Sequence, residues 1–429
     1  MRCTAHYCPM NKQIMGSLTS GKNVFITGKA GTGKSTLIGK FCATTTRNVL
    51  VCAPTGIAAL NVGGMTIHRL FGFSPKTTLG QIKSGRWAPG RVADELASAD
   101  TLVIDEASML RADLFDMICA ALIRVRPKTD KPFGGVQIVL VGDLFQLPPV
   151  VASGGRKDFA RNYDSEFFFS AHCFNIDDFD CFELEKVYRQ SDPKFVEVLN
   201  QIRIGQADGA VEVLNERVQA SFEAKPGQPW VRLAPTNKVA DACNARELAK
   251  LGGQRMFSQA ISIGDTKAFD APVAEELELA VGAQVMLVNN DPLDRWVNGS
   301  MGKVFALDHD DIRVGVELDS GELVWVGMNI WDINVPTFID GQMEFSTVGS
   351  FAQLPIKLAW AITVHKSQGK SFKRVLLDAS GRFFAPGQLY VALSRARSLD
   401  GLVLNKRLKA SDVKVDERVV EFMAGINRR

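Results

Sequence analysis

The residues best suited to chemistry in this chain form a glycine-rich segment, GKAGTGKS, at residues 28–35. It follows the apolar run VFIT at 24–27, typical of a buried strand, and precedes a helical pattern that opens with TLI at 36–38. Glycines let such a loop wrap a phosphate, which successive N–H groups and the helix N-terminus then hold. Lys34 is expected to reach the β- and γ-phosphates of a nucleotide, and the Ser35 hydroxyl to hold Mg²⁺. The alternative is a glycine-rich turn without a ligand.

Two further segments place polar side chains directly after predicted strands. Asp105 and Glu106 follow the apolar run TLVI at 101–104. There an aspartate can bind Mg²⁺ through water, and the adjacent glutamate can polarise an attacking water. Gln146 lies in GDLFQLPPV at 142–150 and is expected to contact a γ-phosphate or its attacking water. The alternatives are a solvated acidic pair and a rigid loop stiffened by its two prolines.

Two arginines are candidates to neutralise a γ-phosphoryl group during hydrolysis, a step that requires positive charge. Arg189 lies in LEKVYRQ at 184–190, and Arg395 lies in YVALSRAR at 390–397. For each arginine, the ordinary alternative is a salt bridge at the surface.

Length and composition indicate a globular protein. The chain has 429 residues, enough for about two to four domains, and its net charge of +3 neither supports nor excludes a nucleic-acid partner. No apolar run reaches membrane-spanning length, and the N-terminus lacks a secretory pattern, so a cytoplasmic protein is expected. The scattered cysteines predict reduced thiols. Cys3, His6 and Cys8 could supply half of a zinc site, the alternative being an unstructured terminus.

The order of apolar runs predicts an α/β fold. Strand runs at 49–53 and 137–141 alternate with helical patterns, which predicts a parallel sheet covered on both faces. The sequence APT, which joins the first of these strands to a helix, recurs at 234–236 and suggests a faint internal repeat. Between about 291 and 350, short strands and turns predict a small antiparallel barrel or meander inserted into the second α/β region.

Seven motifs in order resemble those of the superfamily-1B DNA helicases, and most closely the Pif-one (petite integration frequency) helicases. They are TGKAGTGKST, APTGIAALNVGGMTIH, VIDEASML, VGDLFQLPPV, LEKVYRQ, WAITVHKSQG and YVALSRAR. Together they extend from about residue 24 to 405. Each motif is modestly specific, and seven in order are highly specific. RecD-like subunits of recombination nucleases share these motifs.

The resemblance implies an α/β fold with two RecA-like P-loop NTPase domains and ATP in the cleft between them. It also implies a small 1B insertion or wedge and an inserted SH3-like β-barrel, called 2B. The expected ranges are 10–71 and 95–180 for domain 1A, 72–94 for 1B, 181–290 and 351–410 for domain 2A, 291–350 for 2B, and 411–429 for a C-terminal tail.

The resemblance also implies ATP and Mg²⁺ as cofactors and assigns residues to them. The catalytic residues are expected to be Lys34, Asp105, Glu106, Gln146, Arg189 and Arg395. The residues expected to hold the nucleotide are Gln13, Gly28, Ala30, Gly31, Thr32, Gly33, Lys34, Ser35, Thr36 and Gly369. Ser35 and Asp105 are the expected metal ligands, Gln13 matches an adenine-reading glutamine, and the two arginines are expected to act from the second domain.

Three threonines at strand-to-helix transitions suggest how each α/β region could hold a nucleic-acid backbone. Thr55, Thr236 and Thr363 each combine a hydroxyl with helix N-terminal amides, which together form a phosphate-sized socket. The alternative is an ordinary helix cap. With the family's contacts carried over, the expected nucleic-acid residues are Pro54, Thr55, Gly56, Thr66, His68, Trp87, Thr236, Asn237, Thr363, His365 and Lys366.

A basic segment at residues 72–93 contains Trp87. Its basic residues are Lys76, Lys83, Arg86 and Arg91. Basic charge with an aromatic side chain suits single-strand contact or a strand-separating wedge, and the alternative is a loop that covers its own tryptophan. Trp296, at the entrance of the predicted barrel, could contact DNA or belong to the core.

The resemblance implies an ATP-dependent helicase that translocates 5′ to 3′ on single-stranded DNA and unwinds duplexes, in replication, repair, recombination or telomere maintenance. Single-stranded DNA and tailed or forked duplexes are the implied substrates, with G-quadruplexes and RNA–DNA hybrids as further candidates. The implied protein is a cytoplasmic, nucleoid-associated monomer with a compact prokaryotic or phage-type core. Two alternatives stay open: an ATP-driven DNA-binding subunit of a larger recombination complex that does not unwind alone, and an RNA helicase.

Overall fold

A computed structural model describes most of the chain. The described residues are 9–74, 76–89, 93–126, 129, 131–151, 156–190, 192–223, 230–264, 266, 271–339, 342–381 and 383–426. They divide into two compact units. Unit 1 comprises Met1–Glu212, Phe384–Ser394 and Lys409–Arg429, and unit 2 comprises Val213–Phe383 and Arg395–Leu408. Cys3, His6, Cys8 and Arg91 lie outside the described residues.

Unit 1 is built on a six-stranded parallel sheet. Its strands are β1 Asn23–Gly28, β2 Val49–Ala53, β3 Met65–Thr66, β4 Thr101–Ile104, β5 Gln137–Val141 and β6 Phe179–Leu184. Their order is β3-β2-β4-β5-β1-β6, and every neighbouring pair is parallel. Because parallel strands end at the same edge, the segments after β1, β4 and β5 lie along one edge of the sheet. This confirms the parallel sheet predicted from the sequence.

Helices cover both faces of this sheet. The helices of unit 1 up to Arg203 are α1 Pro9–Ser20, α2 Lys34–Thr44, α3 Gly56–Asn61, α4 Ile67–Phe71, α5 Leu79–Lys83, α6 Ala93–Ser98, α7 Ala112–Val125, α8 Arg156–Asn162 and α9 Pro193–Arg203. Val24 and Ile26 of β1 pack in the cluster that contains α1 and α2, whereas Phe25 packs in the cluster that contains α7. Side chains of alternating direction therefore bury both faces, as the uninterrupted apolar strands require.

The C-terminal segment belongs to unit 1 and ends in a packed helix. The last helix of the chain is α13, Glu417–Ile426. The helices between α9 and α13 are α10 (Ala210–Asn215), α11 (Asn237–Ala249) and α12 (Gln388–Leu393). Phe422 stacks on Phe169 with ring centroids 4.3 Å apart, and Val419 and Met423 are buried in the same core. The expected tail at 411–429 is therefore corrected for its described part, because an apolar helix face packs on the first sheet.

Unit 2 contains a second parallel sheet. Its strands are β7 Val231–Ala234, β18 Ala361–Thr363, β19 Val375–Leu377 and β20 Leu402–Leu404, in the order β18-β7-β19-β20. Strand β7 leads through Pro235 and Thr236 into α11, as β2 leads through Pro54 and Thr55 into α3. The two APT segments thus occupy the same kind of strand-to-helix connection, one in each unit.

The remaining strands of unit 2 are antiparallel. They are β8 Arg255–Gln259, β9 Ile261–Gly264, β10 Glu276–Ala280, β11 Gln284–Leu287, β12 Met301–Asp308, β13 Arg313–Leu318, β14 Leu323–Val326, β15 Asn329–Ile339, β16 Gln342–Gln353 and β17 Ile356–Leu358. The largest sheet has the order β14-β13-β12-β11-β17. It therefore extends beyond the predicted range of 291–350 at both ends, because β11 and β17 pair with each other.

The compact units differ from the domain ranges expected from the sequence in three places. Residues 181–212, 384–394 and 409–410 group with unit 1 rather than with the second α/β region. The physical reason is local pairing, because β6 pairs with β1 along its full length and α12 packs against α9. No helix in the described ranges is both long enough and apolar enough to cross a membrane.

Candidate active site

The glycine-rich loop joins β1 to α2, and no side chain of the N-cap residue caps the first amides of α2. Gly28 has φ +139° at the end of β1, and a Cβ there would lie 2.3 Å from the Leu184 carbonyl oxygen. Gly31 and Gly33 have φ +81° and +84°, which favour glycine. Gly33 also occupies the N-cap position of α2 and has no side chain that could occupy the helix amides. The loop therefore presents an anion-binding cradle.

Lys34 folds back over this loop. Its Nζ donates to the carbonyl oxygens of Gly28 at 2.7 Å and Lys29 at 3.0 Å. Burial lowers the pKa of the Lys34 amine, while the attraction of Asp143 and Glu106 opposes that shift. A nucleotide phosphate could replace the two carbonyl contacts with a full negative charge, so the amine is suitably placed for the predicted role.

The two expected metal ligands are adjacent. The Ser35 hydroxyl donates to Asp105 Oδ2 at 3.2 Å, and the backbone N–H of Glu106 donates to Asp105 Oδ1 at 2.9 Å. Burial raises the pKa of Asp105, and the hydrogen bonds from Glu106 and Ser35 act in the opposite direction. A hydroxyl and a carboxylate at this separation are oxygen ligands of the kind that Mg²⁺ prefers.

Glu106 adopts an uncommon backbone conformation. Its φ of 50° lies in the left-handed region, and it caps a 3₁₀ turn at Ala107–Met109. A residue other than glycine in this region costs about 1–3 kcal/mol, and such residues concentrate at functional sites. The left-handed residue therefore lies directly after Asp105, at the turn between β4 and Ala107–Met109.

Gln146 is held in place by a close backbone approach. The residue is buried, and its N–H donates to the Asp143 carbonyl oxygen at 2.9 Å. A Cβ on Gly387 would lie 2.4 Å from the carbonyl oxygens of both Phe145 and Gln146. Only glycine therefore allows the segment before α12 to pack against the loop that carries Gln146.

A buried polar network beside the loop was missed in the sequence analysis. The Tyr390 hydroxyl accepts the N–H of Ala30 at 2.9 Å and donates to Asp143 Oδ2 at 3.1 Å. Arg203 Nε donates to Asp143 Oδ1 at 3.1 Å, and another guanidinium nitrogen donates to Glu183 at 3.2 Å. The signals in the sequence were the aspartate two residues after β5 and the tyrosine inside YVALSRAR.

Arg189 lies in unit 1 and follows β6, which corrects its expected position in the second domain. The Tyr188 N–H donates to the Gly31 carbonyl oxygen at 2.9 Å. A Cβ on Gly31 would lie 2.5 Å from the Arg189 Cβ. The pairing of β6 with β1 delivers this segment to the glycine-rich loop.

Arg395 lies in unit 2 and is 1% exposed, so the alternative of a surface salt bridge does not hold. One guanidinium nitrogen donates to the Lys370 carbonyl oxygen at 3.1 Å and to that of Ser367 at 3.5 Å. The arginine is therefore positioned by backbone carbonyl groups of its own unit.

The other expected nucleotide contacts are dispersed. Gln13 is exposed on α1, and Thr36 is exposed in the first turn of α2. Thr32 is buried, and its hydroxyl donates to the Lys29 carbonyl oxygen at 2.9 Å. Gly369 is exposed in unit 2 with φ +78°. The loop, Asp105 and Gln146 thus form one group in unit 1, and Gly369 lies outside that unit.

Two of the expected nucleic-acid threonines in unit 1 act as helix caps. The Thr55 hydroxyl accepts the Ala58 N–H at 3.3 Å, and the Thr66 hydroxyl accepts the Arg69 N–H at 3.2 Å. His68 is exposed on α4, and Pro54 and Gly56 flank Thr55. Each cap still leaves other amides of the first helical turn for a phosphate.

Unit 2 repeats this arrangement. The hydroxyls of Thr236 and Thr363 accept the N–H groups of Val239 and Lys366, each at 3.4 Å. Asn237 and Lys366 are exposed, and burial lowers the pKa of the half-buried His365. The lower pKa favours the neutral form of the His365 imidazole. Thr236 is the N-cap of α11, whereas Thr363 precedes the short 3₁₀ turn His365–Ser367, whose N-cap is Val364.

Both tryptophans proposed as DNA contacts are buried. Trp87 is 5% exposed, packs on Phe73, and donates its indole N–H to the Phe71 carbonyl oxygen at 3.2 Å. Its expected stacking role is corrected, because the segment covers its own tryptophan. Trp296 is also buried, and its indole N–H donates to Asn289 Oδ1 at 3.0 Å.

Replacing Trp87 with alanine is expected to lower the free energy of unfolding by about 3–5 kcal/mol, because it empties a packed core position. Affinity for single-stranded DNA should stay unchanged wherever the variant is folded. Urea unfolding and a fluorescence-anisotropy titration measure the two quantities, with Trp87→Phe as the milder control. A folded variant that binds single-stranded DNA more weakly would support the original prediction that Trp87 contacts DNA.

The fold and the site define a P-loop nucleoside triphosphatase. Residues 10–212 match the PIF1-like helicase family, and residues 358–403 match the UvrD-like helicase C-terminal domain. The chain is 34% identical to the ATP-dependent DNA helicase Pif1 of Bdellovibrio bacteriovorus, over 96% of this chain and 91% of that protein. It is 35% identical to human ATP-dependent DNA helicase PIF1, over 97% of this chain and 63% of that protein.

Solved structures of Pif1 helicases resemble the fold of this chain over nearly its whole length. Bacteroides Pif1 bound to single-stranded DNA has a TM-score of 0.78 at 35% identity, with 99% of this chain and 97% of that chain covered. Pif1 helicase from Candida albicans has a TM-score of 0.82 at 28% identity, covering 98% and 99%. The chain belongs to the PIF1-like helicase family, within superfamily 1B, and has a RecA-like α/β core.

Proposed function

We propose that this chain is a motor that hydrolyses ATP, moves 5′ to 3′ on single-stranded DNA and unwinds the duplex ahead. Its family consists of ATP-dependent DNA helicases, and the chain is one of them. The observation that carries the proposal is the alignment of the P-loop, Asp105, Glu106 and Gln146 along one edge of the first sheet.

The hydrolytic steps follow from the chemistry of these side chains. The amides of the loop and the Lys34 ammonium bind the β- and γ-phosphates of ATP. Ser35 and Asp105 would hold Mg²⁺, which would neutralise charge on the phosphates. Glu106 takes a proton from the attacking water, and Gln146 hydrogen-bonds the γ-phosphate or that water. Arg395 supplies positive charge to the γ-phosphoryl group in the transition state, and Arg189 supports the loop side of the site.

Movement requires that each unit holds the DNA backbone separately. Thr55 and Thr66 offer capped helix starts in unit 1. In unit 2, Thr236 offers one, and Thr363 offers a hydroxyl at the start of a 3₁₀ turn. Such sites contact phosphates and carry no base information, which suits a motor that must move along any sequence. ATP binding and hydrolysis would alternate which unit holds the strand.

Finer features of the resemblance belong to the same proposal. The antiparallel sheet of unit 2 serves as the SH3-like 2B barrel, and residues 72–94 serve as the 1B insertion. Forked duplex is the favoured substrate, supported by a relative described as unwinding forked duplex DNA with two coordinating Pif1 helicases. G-quadruplexes and RNA–DNA hybrids are further proposed substrates. The protein acts as a monomer in the core reaction and is associated with the nucleoid.

Strand displacement with two tail polarities tests the proposal. Purified chain, ATP and Mg²⁺ should separate a duplex with a 5′ single-stranded tail and leave the matching 3′-tailed duplex intact. ATP hydrolysis stimulated by single strands without any displacement would favour the ATP-driven subunit of a larger complex. Equal displacement along an RNA tail would favour the RNA helicase. Displacement of the 3′-tailed duplex alone would contradict the direction.

Arg395→Ala is expected to lower kcat for ATP hydrolysis at least tenfold while KM changes by less than about threefold, because an arginine finger acts mainly in the transition state. Steady-state hydrolysis on single-stranded DNA measures both constants. Arg397→Ala is the matched control, since Arg397 is an exposed arginine two residues away. An unchanged kcat in Arg395→Ala removes the proposed role.

A further inference from the structure

Tyr390 contacts the phosphate-binding loop but has no part in the hydrolytic steps proposed above. It lies on α12 and is 3% exposed. Its hydroxyl accepts the backbone N–H of Ala30 at 2.9 Å, although the two residues are 360 positions apart in sequence. Ala30 lies between Gly28 and Gly31, which both have positive φ, and glycine has more backbone freedom than other residues because it lacks a Cβ. The Tyr390 hydroxyl therefore adds a restraint from outside the loop to the hydrogen bonds that Thr32 and Lys34 make within it.

The Tyr390 hydroxyl is itself fixed from the other side. It donates to Asp143 Oδ2 at 3.1 Å, and Asp143 accepts hydrogen bonds from Arg203 Nε. The Arg203 guanidinium also lies 4.4 Å from the centre of the Phe145 ring, next to Gln146. Burial, then the nearby Asp143 carboxylate, raises the pKa of the Tyr390 phenol, so the hydroxyl keeps its proton. That single proton settles the direction of both hydrogen bonds.

We propose that Tyr390 is a positioning residue that holds the backbone of the phosphate-binding loop in the shape that binds ATP. The inference rests on the proposed function, because it assumes that the loop is the ATP site. The hydroxyl donates to Asp143 and accepts from Ala30, so removing it leaves two buried polar groups without this partner. The loop then gains freedom that ATP binding must remove.

The same contact connects the loop to the helix that precedes Arg395. Helix α12 ends at Leu393, and the carbonyl oxygen of Ser394 accepts a hydrogen bond from Gln190 Nε2 at 3.1 Å. Tyr390 therefore links α12 to the loop, and Gln190 links the end of α12 to the segment that follows β6. Loss of the Tyr390 hydroxyl should loosen the loop without removing a group that touches ATP.

Tyr390→Phe tests the proposal, and the chain offers a matched control. The Tyr163 hydroxyl also donates to a buried aspartate, Asp116, at 2.9 Å in the same unit. We expect Tyr390→Phe to weaken binding of N-methylanthraniloyl-ADP with Mg²⁺ about fivefold, the effect of one hydrogen bond. KM for ATP should rise by a similar factor with kcat nearly unchanged, since uniform binding is lost. Tyr163→Phe should bind like the original protein despite a similar fall in Tm.

The outcomes separate this inference from the proposed function. Tyr390→Phe with nucleotide affinity within twofold of the original protein overturns the inference, as does an equal loss in Tyr163→Phe. Lys34→Ala in the same titration checks the site itself, and unweakened nucleotide binding there would overturn the proposed function. If Tyr390→Phe does not fold, the rate of hydrogen exchange at the Ala30 amide of the original protein tests the inference instead. A protected Ala30 amide in the nucleotide-free state supports the inference, and rapid exchange overturns it.

Discussion

Lys34→Ala is expected to lower the rate of ATP hydrolysis on single-stranded DNA by about 10³-fold, with unwinding lost in proportion. The amine of Lys34 lies over the glycine-rich loop, held by the carbonyl oxygens of Gly28 and Lys29. In the reaction it would face the phosphates, where negative charge shifts as the γ-phosphoryl group leaves. Alanine removes the charge and leaves the fold of α2 intact, because alanine is a strong helix former.

Phosphate-release kinetics on a single-stranded oligonucleotide measure this effect. Lys40→Ala is the control, because Lys40 is exposed on the same helix. Binding of single-stranded DNA should remain close to that of the original protein in both variants, since the expected DNA contacts are other residues. Hydrolysis that persists in Lys34→Ala would show that the glycine-rich loop is not the ATP site.

Glu106→Gln is expected to lower hydrolysis by about 10³-fold while nucleotide affinity stays within a few-fold. Glutamine keeps the size and hydrogen-bonding capacity of the side chain but cannot accept a proton from water. The backbone of Glu106 is held at φ 50° after β4, so the amide should occupy the position of the carboxylate. The variant should therefore bind ATP and stall before hydrolysis.

Single-turnover hydrolysis and nucleotide titration separate these two effects. Glu95→Gln provides the control, since Glu95 is exposed on α6 of the same unit. If Glu106→Gln hydrolyses ATP within tenfold of the original rate, another group must be the base. A variant that loses nucleotide affinity instead would assign Glu106 to binding rather than to the chemical step.

Local patterns predicted the parts of the site that depend on neighbouring residues. The glycine-rich loop could be placed because its chemistry, the strand before it and the helix after it are all encoded within about twenty residues. The positions of Asp105 and Gln146 followed from one rule, that parallel strands end at the same edge. The alternation of apolar runs supplied that sheet.

Contacts between distant residues escaped the sequence analysis. Tyr390 bonds to Ala30, which is 360 positions away in sequence, and to Asp143, which is 247 positions away. A single sequence does not specify such distant partners. Trp87 was predicted to face DNA because it lies among basic residues. Its burial depends on Phe73 and the Phe71 carbonyl group, whose arrangement only the folded chain fixes.

Displacement of streptavidin from biotinylated single strands tests the central claim most directly, because it reports directed movement without a duplex. A motor that moves 5′ to 3′ should displace streptavidin from the 3′ end of an oligonucleotide, with ATP, and leave it at the 5′ end. Lys34→Ala should displace neither. Displacement from the 5′ end, or from either end without ATP, would contradict the account.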